Sequence, residues 1–339
     1  GTLGDLSGSG TTYTATFTPS ASGATTIDVA AGTFTDAASN DNTAASQFNW
    51  TYDGTAPTMT ITAAEVSDGD TSKDATLALT FTSSEATTNF IKSDIVVAGG
   101  TLGDLTGVSD TVYTATFTPS GDGATTIDVA ANTFTDASGN DNTAATQFNW
   151  TFDSTVPTIS SVSLSAANTA LTVTFSENVY DTTGGSGDLE AADFVVSKTG
   201  GTATVAATPT GISKNNASEW VLTLGITGTA NGSEVITVNP ASATSIYDVA
   251  ANAASTSQSN NTATFTEKVA PTMTITAGGG VSDGDTSNDA TLSLTFTSSE
   301  STTNFIKSDI VVAGGTLGDL SGSGTTYTAT FTPSASGAT

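Results

Sequence analysis

An all-β chain, built of antiparallel two-layer sandwiches strung in tandem as a linear rod, is the fold that three observations predict. Apolar residues alternate with threonine over short runs, as in Leu77, Leu79 and Phe81. Glycine, proline, asparagine and aspartate punctuate those runs at short intervals, and no segment keeps a helical period beyond one turn. Finally, the stretch Gly1–Thr25 returns letter for letter as Gly315–Thr339, with a close relative starting at Gly100, so the chain is periodic.

The repeat sets the domain boundaries. Ala56-Pro57-Thr58-Met59-Thr60 recurs as Val156-Pro157-Thr158-Ile159 and as Ala270-Pro271-Thr272-Met273-Thr274. Units begun at these markers run 56–155 and 156–269. Residues 1–55 read as the back half of a unit, and 270–339 as the front half of another. Spliced at the shared stretch, the two halves make a unit as long as 56–155. The chain therefore reads as a window on a longer array; the rival reading is that terminal halves complete one another between copies.

Within 56–155 the expected strands follow in order. Thr76–Thr82 puts Leu77, Leu79 and Phe81 on one face. Asp94–Ala98 is a β-branched run closed by Gly99-Gly100. Val112–Thr118 alternates again and stops at Pro119, which has no N–H for a ladder. Thr125–Val129 follows a glycine-rich turn, and Gln147–Phe152 places Phe148, Trp150 and Phe152 on one side. Outward positions are mostly threonine, which suits a pleated surface. Six or seven such strands in about 100 residues fit a sandwich of the immunoglobulin type. The unit 156–269 repeats the pattern loosely through Ala170–Glu177, Asp193–Val196 and Ile246–Ala250. Its extra length, around 181–193 and 211–219, reads as loop.

Composition narrows the chemistry. The chain has no cysteine, no histidine and six basic residues, all lysine, against 33 acidic ones, for a net charge of −27. Disulfides, thiol chemistry and zinc–thiolate sites are excluded. The commonest general base and the bidentate phosphate clamp are missing, and such charge repels nucleic acid. No apolar run approaches a membrane span. The aspartates gather in turns, where their oxygens also suit hard cations.

By these residues the chain resembles bacterial immunoglobulin-like tandem repeats. The likeness is carried by Pro-Thr-Met-Thr-Ile-Thr, Phe-Thr-Ser-Ser-Glu, Asp-Ile-Val-Val-Ala-Gly-Gly-Thr-Leu, Tyr-Thr-Ala-Thr-Phe-Thr-Pro and Ala131–Asn140, and it covers the whole chain. It implies the extender region of a giant secreted or cell-surface adhesin, extracellular and non-enzymatic. It also implies acidic interdomain linkers that bind structural Ca²⁺ and stiffen the rod.

Three acidic sets recur as candidate ligands. One is Asp68, Asp70 and Asp74, repeated as Asp283, Asp285 and Asp289; another is the linker pair Asp53 and Asp153; the last is Asp136 and Asp141, repeated as Asp36 and Asp41. Sandwich topology places a unit's first loop and its exit linker at one end, against the last loop of the next unit. Each joint is thus expected to gather one member of each set, since Ca²⁺ takes about six to eight oxygens. Against this stands the fact that Asp, Gly, Ser and Asn are common turn formers. In the middle unit the first loop, Leu164–Ala170, has no carboxylate and the exit linker carries Glu267-Lys268, so a softer joint is expected at 269/270. Glu177, Asp181 and Asp248 are its expected contributions to the joint at 155/156.

Other chemistry finds less support. The paired carboxylates lie in turns without an aromatic cleft, which argues against a glycosidase. Lys92 and Lys307, flanked by apolar residues, are candidates for Lys–Asn crosslinks of the kind found in some surface sandwiches, although exposed strand-end lysines are commoner. Trp150 and Trp220 read as core. Asn216-Ala-Ser218 and Asn231-Gly-Ser233 match the glycosylation sequon. The alternatives to a stalk are a filament or sheath with lateral contacts, and a glycan-binding unit at 156–269. The expected partners are neighbouring repeats.

Overall fold

The structure is a computed structural model that describes residues 1–334; residues 335–339, the end of the 270–339 unit, lie outside the described residues. Among the described residues there is no α-helix, only strands and three single 3₁₀ turns at Lys92–Asp94, Ala191–Asp193 and Lys307–Asp309. Among the described residues no helix is long and apolar enough to cross a membrane.

Unit 56–155 is a sandwich of two sheets. One sheet runs, in spatial order, Gly100–Leu102, Val112–Pro119, Leu77–Ser83, Met59–Ala63, all antiparallel, with Thr106–Gly107 also pairing to Val112–Pro119. The other runs Ile95–Ala98, Gly123–Val129, Phe148–Phe152, Thr71–Ser72. Its last pair is parallel, Thr151 facing Thr71 and Phe152 facing Ser72.

The expected alternation is the one that packs. Leu77, Leu79, Phe81, Phe117, Ile127 and Trp150 are all buried between the sheets, while the intervening threonines face water. Full burial of side chains of this size contributes about 1.5–3 kcal/mol each. Trp150 turns its indole N–H to Ser72 Oγ at 3.1 Å, which satisfies the one polar atom it brings into the core.

The middle unit, 156–269, has its own core of larger extent, centred on Leu171, Val173, Trp220, Leu222, Ile236 and Val238. One sheet runs Ile159–Leu164, Ala170–Phe175, Glu219–Thr223, Gly211–Asn216, and the other Phe194–Thr199, Val235–Pro240, Thr262–Thr264. The structure corrects one expectation here. Residues 211–219 are not a loop but a hairpin, Gly211–Asn216 pairing antiparallel with Glu219–Thr223. The strand is polar because it lies at the sheet edge, so no apolar alternation marks it.

A buried glutamate also organises this unit. Glu234 is wholly buried, and its carboxylate accepts the N–H groups of Thr202 at 2.8 Å, Ala203 at 3.0 Å and Asn231 at 3.1 Å. Burial by itself would push its pKa up. The backbone donors, Ala203 foremost, outweigh that and hold it at about 2.

The two partial units keep half of this architecture each. Residues 270–334 form the sheet Met273–Ala277, Leu292–Thr302, Ser321–Pro333, Gly315–Leu317 around a small core of Phe296, Tyr327 and Phe331. Residues 1–55 form the pairs Thr2–Leu3 with Phe17–Thr18 and Gly23–Ile27 with Phe48–Tyr52. Each exposes the face that the complete unit buries. Ile275 is 61% exposed where Ile61 is 8%, and Phe48 is 61% exposed where Phe148 is 4%.

Candidate metal centre

The joints between units are built by one recurring turn. In Asp136-Ala-Ser-Gly-Asn140 the aspartate Oδ1 accepts the N–H of Ser138 and of Asn140, and its Oδ2 accepts Asn140 Nδ2 at 2.8 Å. Asp248 and Asn252 repeat this, with Asn252 N–H donating to Oδ1 at 2.7 Å and Nδ2 to Oδ2 at 2.9 Å. Asp36 and Asn40 do so again in the first partial unit. Such local capping is what Asp and Asn do best in turns.

The same asparagine then reaches out of its own unit. Asn140 Nδ2 donates to the main-chain carbonyl of Asp53 at 3.3 Å, and Asn252 Nδ2 to that of Asp153 at 2.8 Å. The linker is thereby held against the next unit's last turn. A second segment is laid beside the turn by isolated bridges, Thr87 to Asp136 and Tyr180 to Tyr247. It carries Glu85 in one unit and Glu177 in the other.

Two carboxylate triads result. Asp53, Glu85 and Asp136 bring one oxygen each within 4.8 Å of one another, and so do Asp153, Glu177 and Asp248. Asp136 and Asp248 are buried, at 5% and 0% exposure. The Glu85 and Glu177 carboxylates accept no hydrogen bond from the described residues. Burial, with Asp53 and Asp136 beside it, pushes Glu85 up. Burial first, then the charges of Asp248, Asp153 and Asp122, push Glu177 to about 7. Asp248 is raised too, burial outweighing the bonds from Asn252, whereas Asp136 ends lowered, because bonds from Asn140, Ser138 and Gly139 outweigh its burial. Three crowded anions with unused lone pairs are a donor set of the kind a hard cation takes.

The structure thus brings together Asp53 with Asp136, and Asp153 with Glu177 and Asp248, and leaves the rest of the expected ligands apart. The first loop of 56–155 does lie at the expected end, since Lys73 Nζ reaches the carbonyl of Ala251 in the next unit at 2.5 Å. Its carboxylates are spent elsewhere: Asp68 accepts the N–H of Asn149 at 2.6 Å, Asp70 that of Ser67, and Asp74 the hydroxyl of Ser72. Asp285 and Asp289 bond the same way to Ser282 and Ser287, and Asp283 is exposed beside them. Asp141 and Asp41 are exposed and bridge Thr135 and Thr35. Asp36 keeps its turn in a half unit, apart from any linker. Asp181, expected at the joint, lies outside the triad in the loop that follows.

Residue reading alone missed Glu85 and the two linker-gripping asparagines. A signal for both was present. Phe81-Thr-Ser-Ser-Glu85 aligns with Phe175-Ser-Glu177, and Asp136…Asn140 shares its spacing with Asp248…Asn252. At 269/270 the exit linker folds back on its own unit, Glu267 accepting the N–H of Val269 and Lys268 N–H donating to Ala230 at 2.8 Å. Trp150 and Trp220 are both 1% exposed, in the cores and not on a surface. Lys92 and Lys307 are exposed and face Asp104 at 3.6 Å and Asp319 at 3.4 Å.

Compared with known proteins, a bacterial Ig-like domain family model matches residues 1–52, 53–152 and 267–339. No curated protein sequence matches the chain. Solved structures with similarity include FdeC, described as a broadly conserved Escherichia coli adhesin. It is 16% identical over 83% of this chain and 89% of its own, with a TM-score of 0.37. Another is invasin, described as a bacterial integrin-binding protein, 18% identical over 81% of this chain and 55% of its own, with a TM-score of 0.24.

Proposed function

The chain belongs to the bacterial Ig-like domain family, and from that premise we propose that it is an extender segment of a large, repetitive, adhesin-like surface or secreted protein. Its units are held in line by Ca²⁺ at the joints. The observation that carries this reading is the repetition of one joint in two sequence contexts. Asp53 with Glu85 and Asp136, and Asp153 with Glu177 and Asp248, each combine a linker carboxylate with two from the following unit.

A cation at either joint would be held by those three side chains, and it would cancel their mutual repulsion across the domain boundary. Bound only when both units are in place, it stabilises the aligned state by mass action. The asparagine bond to the linker carbonyl orients the peptide in advance. In such an array, stability is close to a sum of unit and neighbour terms, so reach is set by the number of repeats. That suits a spacer better than a catalyst.

Small-angle scattering and thermal melting of the 339-residue chain, first in millimolar calcium and then in chelator, test the proposal. A shorter maximum dimension and a lower melting temperature on chelation are the expected result. If neither changes, the carboxylates are turn formers, and lateral assembly becomes the better account of the repeats.

A further inference from the structure

The two partial units are open where the complete unit is closed, and the openings match. In 270–334 the sheet leaves a groove of about 430 Å³ lined by Pro271, Met273, Ile275, Phe296, Phe305 and Ile310. Their counterparts in 56–155, among them Met59, Ile61, Phe81, Phe90 and Ile95, are buried. The aromatic walls of the groove already have the geometry of the complete unit. Phe305 stands 5.1 Å from Tyr327 at 72° and 5.9 Å from Phe296, as Phe90 stands 5.1 Å from Tyr113 at 72° and 5.9 Å from Phe81.

One side chain that packs there in 56–155 is Phe134, 1% exposed and edge-on to Phe90 at 5.1 Å. Its counterpart in residues 1–55 is Phe34, which is 62% exposed. The turn that carries Phe34 is nonetheless formed. Asn42 Oδ1 accepts the N–H of Thr33 at 2.8 Å and of Phe34 at 3.1 Å, as Asn142 Oδ1 does for Thr133 and Phe134 at 2.8 and 3.0 Å. Plug and groove are thus both shaped before they meet, which limits the ordering cost of joining them.

The backbone points the same way. Ile95–Ala98 pairs with 126–129, but the matching residues 310–313 form no strand, and Val311 is 95% exposed. The strands that could continue that edge, Gly23–Ile27 and Phe48–Tyr52, stand in 1–55 as a two-stranded sheet.

We propose that a second copy of this chain occupies the groove: residues 23–52 of one copy complete the half sandwich 270–334 of another, with Phe34 seated against Phe305. One strand pair is then present twice and has to exchange. Phe17 covers Trp50 edge-on at 5.4 Å, the place that Phe117 holds over Trp150 at 6.1 Å, and the equivalent residue in the acceptor is Phe331. The donor's copy is the one that yields. Among the described residues Phe17–Thr18 pairs with Thr2–Leu3 alone, whereas Ser321–Pro333 is bonded on both sides, to Leu292–Thr302 and to Gly315–Leu317. Plug and groove are different surfaces of the chain, so the contact is heterologous and repeats from copy to copy. It needs no calcium.

Sedimentation of the 339-residue chain over a concentration series, in chelator so that the joints play no part, tests this. The parent should form oligomers that grow with concentration. Phe34→Asp and Ile275→Asp each place a carboxylate in the buried contact, and each alone should stay monomeric. Both positions are exposed in the free chain, so the melting of units 56–155 and 156–269 should remain that of the parent. Mixed one to one, the two variants should form a heterodimer and nothing larger, since one keeps an intact groove and the other an intact plug. A parent that stays monomeric at every concentration, a single variant that still assembles, or a mixture without heterodimer overturns the proposal.

Discussion

Asn252 donates its side-chain amide to the main-chain carbonyl of Asp153 at 2.8 Å, so the linker is held through its backbone by a residue of the next unit. The same amide nitrogen also serves Asp248. One side chain therefore ties the linker peptide to the turn that presents a cluster carboxylate.

Asn252→Ala is expected to loosen the joint at 155/156 at a cost of about 1 kcal/mol per lost bond. Faster proteolytic cleavage at 153–156 in chelator, with both cores intact by near-ultraviolet dichroism, is the readout. Asn140→Ala should do less at 53–56, since its bond to Asp53 is 3.3 Å long.

Glu177→Gln removes one of three crowded anions. In chelator the variant should melt higher, by a few degrees for a change of about 1 kcal/mol in a domain of this size. In millimolar calcium the order should reverse, because a ligand is gone. Differential scanning calorimetry in both buffers checks the crossing.

Glu234 ties folding to acidity. Its folded pKa, about 2, lies below the ordinary 4.5, so its contribution is fully present above pH 4.5 and is lost as pH falls through 2. The middle unit should lose stability across that window, and Glu234→Gln should flatten the dependence. Equal acid dependence in variant and parent would sink this assignment.

Trp150→Ala should destabilise unit 56–155 by about 3–5 kcal/mol, read from denaturant melts. Trp150→Phe should cost less, losing chiefly the bond to Ser72.

Much of the fold was legible because burial follows alternation: Leu77, Leu79 and Phe81 could be placed by period alone, and they are the residues that pack. The hairpin at 211–219 was not, since an edge strand such as Ser213-Lys214-Asn215 buries little and shows no pattern. The site was half legible. Topology indicates which loops share an end, but not which carboxylates are consumed by their own turns, as Asp70 and Asp74 are. Glu85 escaped, although its counterpart Glu177 is expected at its joint, because a lone glutamate after a strand looks like ordinary surface. Only the bridge from Thr87 to Asp136, and its counterpart between Tyr180 and Tyr247, carries them into the joint.

The parallel pairing of Thr71–Ser72 with Thr151–Phe152 has a mechanical meaning. Tension along the chain enters unit 56–155 at its first strands and leaves through Phe152. The two paired segments point the same way, so opposed pulls slide one along the other. Their hydrogen bonds lie across the pull and are loaded together in shear, where an antiparallel pair gripped at one end would open bond by bond. Force reaching this edge is shared by its bonds before the sheet behind it yields.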